Sequence, residues 1–181
     1  LGFMLLEMLF IQQLTRFLGA PAYATAVVLA GILVFSGVGS GLQGRLHIPP
    51  RRRILLGSGV LILVAVATQI GMEAVIDAAV GAPMSARVAL SIAVLAPTSL
   101  LLGVQMPAGL GLLSARGARL VPLAWAANGV ASVVAAPTAV LIAVTAGFNA
   151  VAVVALICYG AVVVGATLAG NQLLSGGSHA P

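Results

Sequence analysis

Apolar residues fill this chain in stretches of about twenty, and each stretch ends at glycine, proline or a group of arginines. A helix of about twenty residues rises about 30 Å, the thickness of a hydrocarbon core. The pattern predicts helices over about 1–18, 22–41, 54–72, 88–113, 121–146 and 149–170. Glu7, Gln12, Gln13 and Arg16 interrupt the first of these. The chain opens on Leu1 with no basic leader and no small-residue cleavage site, and it reads as part of a longer polypeptide. No segment repeats at a fixed period. Residues 1–174 read as one transmembrane domain, and the low-complexity segment 175–181 as a flexible tail.

Proline and glycine refine these elements. Pro122 falls at a first helical turn, where no amide bond is lost. Pro97, Pro107 and Pro137 are interior and predict kinks. Small residues four apart, in Gly37 with Gly41, Ala161 with Gly165 and Ala166 with Gly170, predict close helix contacts.

Composition excludes a water-soluble shell. Apolar residues make up 61% of the 181, charged residues only 6%, and mean hydropathy is +1.21. A soluble domain carries roughly a quarter charged residues. The whole acidic inventory is Glu7, Glu73 and Asp77. The expected fold class is therefore all-α, a polytopic membrane bundle of about six helices with the lipid bilayer as its first partner. The basic pI of 11.2 does not indicate nucleic acid, because lysine is absent and the eight arginines are dispersed among loops rather than gathered on one face.

Those arginines set an orientation instead. Arg45, Arg51, Arg52 and Arg53 separate helices two and three, and Arg116 and Arg119 separate helices four and five. The alternate gaps contain Arg87, with Arg16 just before the first of them. Six arginines against two place the first pair of gaps on the cytoplasmic side of the plasma (inner) membrane, together with the C-terminus.

A carboxylate within a span is costly, which makes Glu7 the first candidate for chemistry. Arg16, nine residues on, falls on the opposite helix face and about 13 Å along the axis, so it is no partner. Counted from the expected cytoplasmic edge, Glu7 lies about 9 Å deep, Gln105 about 12 Å and Asn128 about 10 Å. Three polar side chains at similar depth read either as interhelical glue or as a substrate or proton site. Gln69 falls nearer the other face. Glu73 and Asp77, one turn apart, suit a cation or polyamine arriving from outside, or simply a solvated loop. Trp125 reads as an interfacial anchor and Cys158 as a packing residue. His47 and His179 have no ligand-spaced neighbours, and neither a metal site nor a cofactor is expected. No phosphate-cradling loop, Walker lysine or nucleophile elbow is present, so no catalytic residue is assigned.

The run Gly2-Phe3-Met4-Leu5-Leu6-Glu7, with Ile11-Gln12, Phe17-Leu18-Gly19-Ala20-Pro21 and Tyr23-Ala24, resembles the membrane part of integral-membrane spermidine-synthase-like proteins. Further matches are Phe35-Ser36-Gly37, Gly39-Ser40, Gly44-Arg45-Leu46, Gly103 with Pro107 and Gly109-Leu110, and Val121-Pro122, Ala124-Trp125, Asn128-Gly129 and Ala131-Ser132-Val133. The chain departs from the family at Ala20, where histidine is expected, around Gln105-Met106, and at Gly44, where an acid is usual. The resemblance implies a major-facilitator-half-like bundle that anchors an aminopropyltransferase-like domain, and passes it an amine-type substrate; that catalytic domain lies in another domain or chain. Two other readings stand beside it: half of a major-facilitator-like transporter, and a non-catalytic accessory subunit of a larger membrane complex.

Overall fold

The computed structural model describes residues 1–44, 48–117 and 119–175, and among them it contains six helices and no strand. They are α1 (Gly2–Leu18), α2 (Pro21–Gln43), α3 (Pro50–Ala79), α4 (Met84–Arg116), α5 (Leu120–Ala146) and α6 (Phe148–Ser175). Helices α2 to α6 are each long and apolar enough to cross a membrane. α1 has 17 residues and the polar interruptions noted above. Arg45, His47, Ala118 and the expected tail from 176, with His179, lie outside the described residues.

Local chemistry sets the ends. Gly19 takes φ 80°, a left-handed conformation open to glycine, and its N–H closes on the Thr15 carbonyl at 3.0 Å to stop α1. Pro21 then starts α2 after an extended Ala20. Gly147 at φ 83° separates α5 from α6 in the same manner.

Helices α3, α4 and α6 run longer than the sequence reading, α6 reaching Ser175, the first residue of the expected tail, rather than ending at 170. Helix α3 runs from Pro50 to Ala79 rather than 54–72, so Glu73 and Asp77 belong to its final turns and not to a loop. Helix α4 starts at Met84 rather than 88, leaving a connection of only four residues, 80–83. A helix need not end where the hydrocarbon does: its backbone bonds continue into the interface, which tolerates the charged side chains. α4 also continues through Pro97 and Pro107 without a break.

α1 is the hub. Leu5, Leu6, Leu9, Phe10, Leu14, Phe17 and Leu18 are at most 1% exposed, and α1 packs on α2, α4, α5 and α6. α2 lies along α4, while α3 lies along α4 and α6. α5 is the opposite case, with only Ala135 and Ala139 buried. Its hydroxyls at Ser132, Thr138 and Thr145 donate to carbonyls one turn back, which satisfies them without a partner helix.

The closest helix contact is between α2 and α4. A Cβ on Gly39 would strike the Leu100 carbonyl, and one on Gly103 would strike the Ser36 backbone. Small residues thus let two backbones touch. The seam is not the one expected: Gly37, Gly41 and Gly165 have open space beside them, and Ala161 lines a cleft.

Short connections make consecutive helices antiparallel. α1–α3 and α4–α6 therefore run in opposite senses, yet their packing corresponds. Exchanging α1 with α4, α2 with α5 and α3 with α6 turns α2·α4 into α5·α1, α3·α4 into α6·α1 and α1·α2 into α4·α5, and it leaves α3·α6 and α1·α4 unchanged. The correspondence is one of which helices touch and not of extent: α2·α4, α3·α4 and α1·α2 are each more extensive than their counterparts, and α5·α6 has none of comparable weight. This repeat of packing carries no repeat of sequence, because lipid-exposed and helix-packing positions accept many apolar residues.

Candidate binding cleft

A cleft of about 1040 Å³ opens at one end of the bundle. Its walls come from the start of α1 (Leu1 to Met4), the second half of α2 (Ser36, Ser40), the start of α3 (Ile54), α4 (Gly103, Gln105, Pro107), the start of α5 (Trp125, Asn128, Ser132) and α6 (Cys158, Tyr159). The termini meeting there are those joined by the arginine-bearing connections, so Arg51 to Arg53 and Arg119 lie at the same end of the molecule.

The polar groups of the cleft are held from the helices. Ser58 Oγ on α3 donates to Gln105 Oε1 on α4 at 3.1 Å, and Gly57 leaves room for the amide: a Cβ there would stand 2.9 Å from Gln105 Nε2. That Nε2 is buried and has no acceptor. A donor left unpaired in an apolar medium costs about 1–3 kcal/mol, so it is an available hydrogen-bond donor for a bound molecule. Pro107 has no amide to give the carbonyl four residues back, which frees the acceptor on Gly103. Asn128 is exposed, and the Trp125 ring is 55% exposed. Gly2 brings α1 against α6, where its Cβ would meet the Tyr159 ring at 2.9 Å.

Of the residues expected from sequence, Gln105 and Asn128 share this cleft. Glu7 does not line it. It lies one helical turn beyond Phe3 and Met4, which do, and it is 6% exposed with no ion-pair partner among the described residues. Gln69 does not line the cleft. Trp125 is a wall residue of the cleft rather than an anchor alone. Ser36 and Ser132 entered the sequence reading only through the resemblance, and Tyr159 not at all; a hydroxyl in an apolar helix has no signal that separates a cleft wall from a self-bonded turn.

No lining side chain among the described residues is charged. Among the described residues no three His, Cys, Asp or Glu side chains gather into a metal site. What the cleft offers is a broad apolar and aromatic surface with a few neutral donors and acceptors, the composition of a small-molecule site. Comparison with protein-family models, with curated proteins and with solved structures finds no match. Fold and cleft define the class: an all-helical polytopic membrane protein with an open cavity at its arginine-bearing end.

Proposed function

We propose that this chain is the membrane domain of a spermidine-synthase-like protein, and that its cleft receives a small amphipathic molecule for a catalytic body at the arginine-bearing face. One observation carries the reading. The segments that give the resemblance are scattered along the sequence, yet Gly2 to Met4, Ser36-Gly37, Gly103 with Pro107 and Gly109-Leu110, and Trp125 with Asn128 all converge on this one cleft.

The lining narrows the ligand. A polyamine carries several charges and calls for carboxylates, and among the described residues none lines the cleft. Trp125 and Tyr159 can hold a single ammonium by cation–π attraction, and the Gln105 and Asn128 amides can bond a hydroxyl or amine. A monoamine or alcohol with an apolar body fits best. The arginine-bearing end, and with it the mouth of the cleft, faces the cytoplasm of the plasma membrane by the charge rule.

The test is thermal unfolding of the whole chain in lipid nanodiscs with hexylamine, hexanol or spermidine. Hexylamine or hexanol raises the midpoint more than spermidine does, and Gln105→Leu with Asn128→Leu removes the rise. Equal responses to all compounds, or a rise unchanged in the double variant, reject the reading.

The half-transporter reading is favoured by a separate observation, the inverted correspondence of α1–α3 with α4–α6 beside a nearly uncovered α5. It requires a second six-helix body across the cleft, which membrane crosslinking from α5 would capture. The accessory-subunit reading requires a filled interior, and the open cleft counts against it.

A further inference from the structure

At the end opposite the cleft, a second and smaller pocket of about 170 Å³ is enclosed by the last turns of α1, α3 and α5 and the start of α6. Its chemistry is unlike that of the cleft. Arg16 on α1 and Glu73 on α3 both line it, with Asn149 from α6 and Gln13 one turn below Arg16. The guanidinium and the carboxylate share the pocket without closing on each other as an ion pair.

The lining of this pocket holds an unmet polar group. Gln13 is 9% exposed, and its Oε1 is buried without a donor. Gln69, one turn before Glu73 on α3, lies outside the lining and also has both its Oε1 and its Nε2 buried without partners. The Gln13 amide, beside the charged Arg16 and Glu73, needs a polar atom that the protein does not supply.

We infer that this pocket binds a small zwitterion carrying one carboxylate and one ammonium. Arg16 takes the carboxylate, and its planar fork suits two parallel bonds to it. Glu73 takes the ammonium, and the Gln13 and Asn149 amides complete the polar shell. A simple anion would leave Glu73 unmatched, and a simple cation would leave Arg16 unmatched. Size agrees: a cavity of about 150 Å³ holds one benzene, so this one admits a molecule of about six or seven non-hydrogen atoms. The inference stands independently of what occupies the cleft.

Calorimetric titration of the whole chain in nanodiscs with glycine, β-alanine and 4-aminobutyrate, beside acetate and ethylamine, tests it. At least one amino acid binds about tenfold or more tighter than acetate and ethylamine, the size of one charge-assisted contact. Arg16→Gln and Glu73→Gln each weaken it by about tenfold; both residues are exposed, so the unfolding midpoint stays in place and separates lost binding from lost fold. Failure of all three amino acids to bind, affinities no better than those of the single-charge compounds, or affinity unchanged in both variants overturns the proposal.

Discussion

Gly103 of α4 lies directly against the backbone of Ser36 in α2, with no room between them for a side chain. Gly39 meets the Leu100 carbonyl in the same way one turn along the seam. The α2–α4 seam therefore depends on the absence of a side chain at these two positions. Gly103→Ala and Gly39→Ala must push the helices apart, at a cost of about 1–3 kcal/mol each. Gly37→Ala and Gly41→Ala, with open space at the same helix, gain helix propensity and are neutral or stabilising by about 0.5–1 kcal/mol. Denaturant titration of the four variants in one detergent checks the opposite signs.

Arg51 joins α3 to α6. Its Nε donates to the Ala166 carbonyl at 3.0 Å and its Nη2 to the Thr167 carbonyl at 3.2 Å. Lysine gathers its three donors on one terminal nitrogen and has no donor at the Nε position, so it does not reproduce the two-nitrogen grip on both oxygens. Arg51→Lys is expected to lose about 1 kcal/mol and to speed amide exchange in α6 around Ala166 and Thr167, as read by hydrogen–deuterium exchange. At the other end Arg87 Nη1 holds the Phe17 carbonyl at 2.9 Å, so Arg87→Ala loosens the α1–α2 corner and leaves exchange near Thr167 unchanged.

Glu7 separates a structural from a ligand-binding role. It is buried, has no counter-charge among the described residues and stands outside the cleft. Glu7→Gln keeps the shape and removes a charge that hydrocarbon disfavours. The variant is expected to unfold at the same or a higher temperature and to keep the response to hexylamine. Loss of that response would place Glu7 in the cleft's function after all.

The helices were legible because their cause is one-dimensional: an apolar run of sufficient length has few structures open to it in lipid. About six were expected, and six are found among the described residues. Where α3 and α4 end was not legible, since Glu73, Asp77 and Ser85 to Arg87 read as a loop by polarity while their backbones remain helical. Gln105 and Asn128 stood out as amides inside apolar spans, and they share a cleft. The cleft itself was hidden, because its walls are mostly residues that would look the same facing lipid. Tyr159 and Trp125 become wall residues only through the way α5 and α6 cross the start of α1. The α2–α4 seam was missed for a related reason: glycine is so frequent that its spacing does not single out Gly39 and Gly103 from Gly37 and Gly41.

The central claim, a membrane-embedded bundle with a water-accessible cleft at its arginine-bearing end, is tested most directly at Cys158. It is the chain's only cysteine and it lines the cleft. A thiol reacts with maleimide as the thiolate, a form that needs water and does not persist against hydrocarbon. In oriented membranes an impermeant maleimide is expected to modify native Cys158 from the face that carries Arg51 to Arg53, and not from the opposite face. Labelling only after denaturation, or only from the opposite face, would contradict the account.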